Sequence, residues 1–129
     1  MKNYVLLIDD TKLDNFINRI LIQQLRISQS IVEFQSAKEA LGYLRMMGME
    51  NKPYPDYIFL DLNMPEMDGF QFIEQFEEVE YKEKESSKII VVSSTVDPEE
   101  IRKVISNPRV HKFIEKPLTK DKLRELVPG

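Results

Sequence analysis

Carboxylates are the first side chains in this sequence with the means to do chemistry. Asp9 and Asp10 directly follow the apolar run 4–8, and Asp61 directly follows the apolar run 57–60. Carboxylates that are held close together repel one another, and isolation from water strengthens that repulsion. A hard divalent cation relieves the repulsion, and oxygen ligands of this kind suit Mg²⁺ or Mn²⁺. The three aspartates therefore predict a cation site, provided that the fold brings them together.

Hydroxyl and ammonium groups follow two further apolar runs. Ser93, Ser94 and Thr95 come after the run 89–92, and Lys116 comes after the run 112–115. A bound cation attracts a phosphoryl group, whose three equatorial oxygens need positive or hydrogen-bonding partners. The cation, the lysine and a hydroxyl or backbone N–H would supply those partners, and one carboxylate could be the nucleophile. The set favours transfer of phosphate onto a carboxylate over acyl transfer, because it places no base beside a serine.

Each of these groups has an ordinary structural explanation when it is taken alone. An acid pair after a strand commonly forms a turn and a helix cap, and a Lys-Pro pair commonly forms a turn. Here an acid pair, a lone acid, a hydroxyl and a lysine follow four separate apolar runs. That coincidence favours one shared site.

Two alternating hydrophobic periods predict the elements that must position these groups. Short continuous apolar runs predict strands that are buried on both faces, and apolar residues three and four apart predict helices. The strands are predicted at residues 4–8, 31–34, 57–60, 89–92 and 112–115. The helices are predicted around residues 13–21, 40–47, 70–76, 101–105 and 123–127. Thr11, Ser36 and Thr119 are predicted helix caps, and Gly48 is predicted to end the second helix.

Strand and helix alternate five times, which predicts an α/β fold. The expected architecture is a single doubly wound, five-stranded parallel sheet in the flavodoxin-like order 2-1-3-4-5, with helices on both faces. The length of 129 residues predicts one domain that spans residues 1–129. Because ligands bind at the carboxyl ends of the strands in such sheets, the chemical groups above are expected to converge there.

Composition excludes several classes of function. The chain has no cysteine, which excludes disulfides, thiolate metal sites and a cysteine nucleophile. Its one histidine, His111, lies outside every motif and is expected on the surface rather than as a phosphodonor. With a net charge of −4, the chain lacks the positive electrostatic field that is typical of nucleic-acid-binding proteins. The first apolar run is too short for a signal peptide or a membrane span, so we expect a cytoplasmic protein with neither nucleic acid nor membrane as a partner.

Three motifs, in order and at the same spacing, resemble those of the receiver domain of two-component response regulators. The most specific is DLNMPEMDG at residues 61–69, which is similar to the family's phosphoacceptor signature. The others are Ile8-Asp9-Asp10 near the start and Lys116-Pro117 near the end. The resemblance covers essentially the whole chain. It implies a stand-alone receiver similar to the chemotaxis regulators.

The resemblance implies a role for each residue of the shared site. Asp61 would be the phosphoacceptor, and Asp9 and Asp10 would be the acid pair that binds Mg²⁺, with Asp10 the more direct ligand. Asp61 and the backbone carbonyl of Asn63 would complete the protein ligands of the metal. Lys116 would pair with the bound phosphoryl group.

Further residues match positions that control the switch and its lifetime in this family. The peptide bond between Lys116 and Pro117 is expected to be cis, because it is cis in similar proteins. The side chains of Asn63 and Thr95 would flank the path of the hydrolytic water and help to set the lifetime of the phosphoryl group.

The switch hydroxyl has two candidates. Counting from the predicted strand and from the following helix favours Ser93, whereas counting back from Lys116 favours Ser94. We choose Ser93 and keep Ser94 as the alternative. Phe113, three residues before Lys116, matches the aromatic switch position, although it is equally typical of an ordinary strand. Phosphorylation would remodel the face of the fourth helix, fifth strand and fifth helix for an unidentified protein target.

The resemblance also implies partners and sets aside rival functions. The phosphoryl donor would be a sensor histidine kinase or a histidine phosphotransfer protein. The chain would not be a turnover enzyme, since its chemistry would be limited to self-phosphorylation and autodephosphorylation. The alternatives are a pseudo-receiver that binds partners without phosphorylation and, less favoured, a phosphatase of the haloacid-dehalogenase type. The phosphatase would need a second acid two residues after its nucleophile, where this chain has Asn63.

Overall fold

Strands and helices alternate along the chain in the computed structural model, which describes residues 4–126. The five strands are β1 (Val5–Ile8), β2 (Ile31–Phe34), β3 (Tyr57–Leu60), β4 (Lys88–Ser93) and β5 (Val110–Glu115). The five α-helices are α1 (Lys12–Gln24), α2 (Ala37–Met49), α3 (Gly69–Glu77), α4 (Pro98–Ile105) and α5 (Lys120–Leu126). A short 3₁₀-helix, Lys82–Ser86, precedes β4. Val127, which the sequence assigns to the last helix, lies outside the described residues.

The strands form one parallel sheet in the order β2-β1-β3-β4-β5, which confirms the predicted architecture. β1 and β3 are buried along their whole length, as the continuous apolar runs predict. Alternate strand residues pack into two apolar clusters, one on each face of the sheet. β1 and β3 end beside one another because Ile8 pairs with Leu60, while Leu60 pairs with Val91 of β4, which continues for two residues to Ser93. The residues that follow these strands therefore meet at one edge.

The first two turns of helix α1 place their apolar residues on the solvent side, whereas Ile22 near its end is buried in the core. An amphipathic helix normally turns its apolar stripe toward the core. Here Leu13, Phe16 and Ile17 are 61%, 49% and 43% exposed, whereas Asn15 and Asn18 are buried. The helical spacing predicts the helix correctly, but its first two turns present apolar side chains to solvent.

Gly48 does not end α2, so that prediction is wrong. The helix continues to Met49, and the left-handed backbone conformation occurs at Asn51, with φ of 57°. A side chain at Gly48 would approach the Cβ of Tyr81 to 3.3 Å. The glycine therefore allows close packing against Tyr81 rather than a helix stop.

Ser36 and Thr119 are confirmed as helix caps, because their hydroxyls accept hydrogen bonds from the backbone N–H groups of Glu39 and Lys122. Thr11 occupies the cap position of α1 but makes no side-chain capping bond. Within residues 4–126, no helix combines the length and the apolar character that a membrane span requires.

Candidate phosphoryl and cation site

Three carboxylates meet at the carboxyl end of the sheet. Each of Asp9, Asp10 and Asp61 offers an oxygen within 4.8 Å of an oxygen of the other two. Asp9 and Asp61 are buried, and Asp10 is exposed. The sequence predicted this convergence, and the parallel register of β1 and β3 produces it.

Backbone hydrogen bonds extend the strand pairing to both buried aspartates. The N–H of Asp9 donates to the carbonyl of Phe34, and the N–H of Asp61 donates to the carbonyl of Ile8. The Asp9 carboxylate accepts a hydrogen bond of 2.9 Å from the backbone N–H of Thr11. Each side chain thus begins from a fixed backbone position, which suits a site that must hold its geometry without a ligand.

Glycine is required where α3 begins beside the phosphoacceptor candidate. The N–H of Gly69 donates to the carbonyl of Leu62 at 2.8 Å. A Cβ at Gly69 would lie 2.8 Å from the carbonyl oxygen of Asp61, which is too close for any side chain. Asp68 caps the helix reciprocally with Gln71, in a capping box that the sequence analysis did not identify. The motif at residues 61–69 therefore also serves to press α3 against the backbone of the site.

The electrostatics of the site disfavour charge on Asp61. Burial and the neighbouring Asp9 carboxylate raise the pKa of Asp61 from 3.8 to about 6, and Lys116 opposes this rise only in part. A carboxylate in this environment gains free energy from any cation that approaches it. The donor set of two buried carboxylates and one exposed carboxylate fits Mg²⁺ or Mn²⁺, which bind few protein oxygens and retain waters.

Lys116 extends from the end of β5 into the acid cluster. Its ammonium lies 2.9 Å from Asp9 Oδ2, 2.9 Å from Asp14 Oδ2 and 3.6 Å from Asp61 Oδ1. Burial opposes the charge on Lys116, but the hydrogen bonds to Asp14 and Asp9 outweigh it and raise the lysine pKa. The lysine therefore carries its positive charge at neutral pH. The peptide bond between Lys116 and Pro117 is cis, as predicted.

The two candidate switch hydroxyls differ in burial. Ser93 is the last residue of β4 and is completely buried, whereas Ser94 is exposed. Ser93 Oγ accepts a hydrogen bond of 3.1 Å from the N–H of Thr95. The Thr95 hydroxyl in turn donates to Glu100 Oε1 at 2.5 Å and accepts from the N–H of Asp97. The loop from β4 to α4 is thus held by hydroxyl contacts at its start.

The remaining predicted residues lie around the site. The side chain of Asn63 is exposed on the loop that follows β3. Phe113 is half-buried in β5, opposite Val91 of β4, and packs against one of the apolar clusters. His111 is exposed, as the sequence predicted.

Three residues of α1 contribute to this edge of the sheet and were missed by the sequence analysis. Asp14 binds Lys116, and the amide nitrogen of Asn15 donates to the carbonyls of Asp9 and Phe34 at 3.0 and 3.1 Å. Asn15 Oδ1 is buried and has no hydrogen-bond partner among residues 4–126. Asn18 is buried one turn further along. Their one signal in the sequence is that Asn18 follows Asp14 by four residues and Asn15 by three, which places these polar residues on one side of the helix.

Known proteins share both the sequence pattern and the fold. The sequence profile of the response regulator receiver domain matches residues 5–128. The two-component response regulator ARR22 of Arabidopsis thaliana is 31% identical over 124 residues, which are 95% of this chain and 80% of that protein.

Two solved structures are similar over nearly all of their length. A two-component response regulator from Cytophaga hutchinsonii has a TM-score of 0.85 and 30% identity, with 95% of this chain and 92% of that chain covered. A response regulator receiver protein from Dyadobacter fermentans has a TM-score of 0.82 and 31% identity, with 95% and 93% covered. With the acid cluster, the lysine and the parallel sheet in place, this chain belongs to the receiver domain family of two-component response regulators.

Proposed function

We propose that the chain acts as one receiver domain, residues 1–129, that accepts a phosphoryl group on Asp61 in a two-component or phosphorelay pathway. The observation that carries the proposal is the grouping of Asp9, Asp10 and Asp61 within 4.8 Å beside the Lys116 ammonium. A buried carboxylate beside a cation site and a fixed positive charge has the partners that phosphoryl transfer requires.

The phosphoryl donor is a phosphohistidine on a sensor histidine kinase or on a histidine phosphotransfer protein. An oxygen of Asp61 attacks the phosphorus, the new O–P bond forms as the P–N bond breaks, and the electron pair of that bond stays on the donor's imidazole. Mg²⁺ would neutralise charge on the phosphoryl oxygens, held by the three aspartates and by the backbone carbonyl of Asn63. Lys116 donates hydrogen bonds to another phosphoryl oxygen. Catalysis consists of positioning and electrostatic stabilisation.

Hydrolysis ends the signal. Water attacks the phosphorus, the Asp61 carboxylate leaves, and inorganic phosphate is released. The side chains of Asn63 and Thr95 flank the path of that water and help to set the rate of hydrolysis. The chemistry of the chain is thereby limited to self-phosphorylation and autodephosphorylation, without turnover of an external phosphate ester.

Ser93 is the switch hydroxyl in this proposal. It is buried at the end of β4, its oxygen already accepts a hydrogen bond from Thr95, and it can still donate its own hydrogen to a phosphoryl oxygen. Movement of this hydroxyl toward the phosphoryl group vacates space beside β5 for the half-buried ring of Phe113. The surface of α4, β5 and α5 changes as a result and is read by a protein target.

The donor protein docks across the first two turns of α1. Exposed Leu13, Phe16 and Ile17 form an apolar surface, which we call the α1 patch. Helix α1 begins three residues after Asp9, and Asp14 in its first turn touches Lys116. A partner seated on the α1 patch is therefore beside the edge at which Asp61 must meet the phosphohistidine, and burial of these side chains supplies binding free energy.

Intact-mass measurement after incubation with Mg²⁺ and acetyl phosphate tests the proposal. The wild type is expected to gain one phosphoryl group, and Asp61→Asn is expected to gain none. Asp121→Asn removes a carboxylate that is exposed on α5, so it is a matched control and should label like the wild type. An adduct that persists in Asp61→Asn would mean that another carboxylate is the acceptor. A wild type that binds Mg²⁺ but forms no adduct, even with a phosphorylated donor protein, would instead indicate a pseudo-receiver, and steady turnover of a small phosphate ester would indicate a phosphatase.

Paired serine variants test the switch. With beryllofluoride as the phosphoryl analogue, Ser93→Ala is expected to keep the Asp61 adduct but to lose the amide chemical-shift changes at Phe113 in two-dimensional NMR spectra. Ser94→Ala should retain those changes because its hydroxyl is exposed. The reverse result would assign the switch to Ser94.

A further inference from the structure

Asp14 is a fourth carboxylate at the site, and neither the motifs nor the proposed reaction assigns it a role. It lies in the first turn of α1 and accepts a hydrogen bond of 2.9 Å from the Lys116 ammonium. It is not one of the three aspartates whose oxygens group within 4.8 Å. Asp14 therefore contacts the site through its hydrogen bond to Lys116 and is not among the candidate cation ligands.

The lysine is shared unequally among its acidic neighbours. An ammonium has three hydrogens to donate. Two of them are directed at Asp9 and Asp14, each at 2.9 Å, while Asp61 Oδ1 is 3.6 Å away. The strongest contacts of Lys116 in this structure thus go to residues other than the phosphoacceptor candidate.

We propose that Asp14 is a positioning residue that holds Lys116 in the unphosphorylated form and releases it when a phosphoryl group occupies Asp61. This inference rests on the proposed function. The incoming oxygens carry more charge than the Asp61 carboxylate and lie beyond it, so the ammonium turns toward them and away from α1. A contact that exists in only one of two states biases the equilibrium toward that state. The Asp14–Lys116 pair therefore opposes phosphorylation to a modest extent and keeps the unoccupied site in a defined arrangement.

Partial exposure limits the size of this effect. The side chains of Asp14 and Lys116 are 34% and 19% exposed, so water weakens their attraction. Ion pairs of this kind change an equilibrium by about twofold to fivefold. Asp14→Asn is expected to bind beryllofluoride more tightly than the wild type by that factor, because the amide is a neutral and weaker acceptor for the ammonium.

The measurement is the dissociation constant of beryllofluoride at saturating Mg²⁺, with the Mg²⁺ constant measured separately for each variant. Asp14→Glu restores a carboxylate and should move the constant back toward the wild type. Glu66→Gln is the matched control. Glu66 is exposed on the loop after Asp61, so this substitution also removes one negative charge from this edge of the sheet. Thermal unfolding checks that every variant is folded.

The outcomes separate this inference from the proposed function. Tighter binding in Asp14→Asn, with values near the wild type in Asp14→Glu and Glu66→Gln, supports the positioning role. Unchanged or weaker binding in Asp14→Asn overturns it, and so does an equal gain in Glu66→Gln, which would reflect net charge alone. A wild type that forms no adduct with either beryllofluoride or acetyl phosphate overturns both proposals, whereas adducts of equal affinity in all variants overturn only the role of Asp14.

Discussion

The two ends of the sheet bury polar side chains in opposite ways. Tyr4, Tyr54 and Ser87 lie shortly before β1, β3 and β4, and all three are buried. Each hydroxyl donates to a backbone carbonyl, at 2.8 Å to Pro53, 2.5 Å to Leu44 and 2.5 Å to Pro55 respectively. Burial raises the pKa of Tyr54 to about 12, so its hydroxyl stays neutral under ordinary conditions. Every buried polar group in this set has a neutral partner.

The opposite ends of the same strands carry charge instead. Asp9 and Asp61 follow β1 and β3, and their carboxylates are buried near one another with one ammonium among them. The orphan oxygen of Asn15 lies at the same end. Neutral, paired hydroxyls stabilise the fold, whereas close carboxylates lower its stability until a cation binds them. In the same strands, the residues before the amino ends therefore stabilise the fold, and the residues after the carboxyl ends form the candidate site.

The largest effect is expected at the amino ends of the strands. Tyr54 is buried against the rings of Phe76 and Tyr81, at centroid distances of 6.4 and 4.7 Å. Tyr54→Ala should lower the free energy of unfolding by about 3–5 kcal/mol, as for other buried aromatic residues. Tyr54→Phe keeps the ring and removes only the hydrogen bond to Leu44, so it should cost about 1 kcal/mol. Urea denaturation measures both. A loss below about 1 kcal/mol in Tyr54→Ala would show that this end does not supply the stability assigned to it.

A change at the other end is expected to have the opposite sign. In metal-free buffer at neutral pH, Asp61→Asn should raise the free energy of unfolding by about 2 kcal/mol, because it removes a charge whose pKa is raised from 3.8 to about 6. Urea denaturation in the presence of a chelator measures the difference. Added Mg²⁺ should reverse the order of the two proteins, since binding to the intact cluster stabilises the wild type by mass action. If Asp61→Asn is less stable than the wild type in the absence of metal, then repulsion among the carboxylates does not destabilise this site.

The pH dependence of the same pair has a defined sign. The folded state of the wild type binds the Asp61 proton more tightly than the unfolded state does, so protonation favours folding. This contribution grows as the pH falls through about 6 and is complete below about 3.8. The stability advantage of Asp61→Asn should therefore be largest above pH 6 and shrink toward pH 4. Subtracting the free energy of unfolding of the wild type from that of Asp61→Asn at each pH cancels the contribution of the other acidic groups.

The sequence was sufficient to predict the fold and the acid cluster, since both depend on local patterns. Continuous apolar runs predict buried strands, and parallel strands bring their carboxyl ends together whatever the details of packing. The grouping of Asp9, Asp10 and Asp61 can thus be predicted from their positions directly after β1 and β3. The cis peptide at Pro117 was predicted only through the family resemblance.

Asp14, Asn15 and Gly48 could not be assigned because their roles depend on which way a helix faces. Periodicity predicts that α1 is a helix with apolar residues at regular spacing, but not that those of its first two turns face solvent. Asn15 turns inward because its amide nitrogen serves the carbonyls of Asp9 and Phe34 at the polar edge of the sheet. Gly48 suits a helix end by residue type, yet its contact with Tyr81 arises from tertiary packing.

The exposed side of α1 supplies the smallest predicted change in stability. Phe16→Ser removes a ring that is 49% exposed and that lies 5.7 Å from the Arg19 guanidinium, so the free energy of unfolding should fall by no more than about 1 kcal/mol. It should slow phosphoryl transfer from a phosphorylated histidine phosphotransfer protein severalfold, because the α1 patch loses its aromatic side chain. Transfer from acetyl phosphate should be unchanged, since that donor needs no docking surface. Stopped-flow or quench-flow phosphorylation measures both rates.

A matched variant on another helix decides whether the α1 patch is specific. Ile105 on α4 is 63% exposed, and Ile105→Ser removes a comparable apolar surface at a distance from the acid cluster along the chain. It should leave transfer from both donors at the wild-type rate. Equal slowing in the two variants, or slowing with acetyl phosphate in Phe16→Ser, would remove the α1 patch from the docking surface. Slowing in Phe16→Ser alone, and only with the protein donor, would show that the functional surface includes a face of α1 as well as the carboxylates. The orientation of α1 that buries Asn15 also exposes Phe16 to a partner.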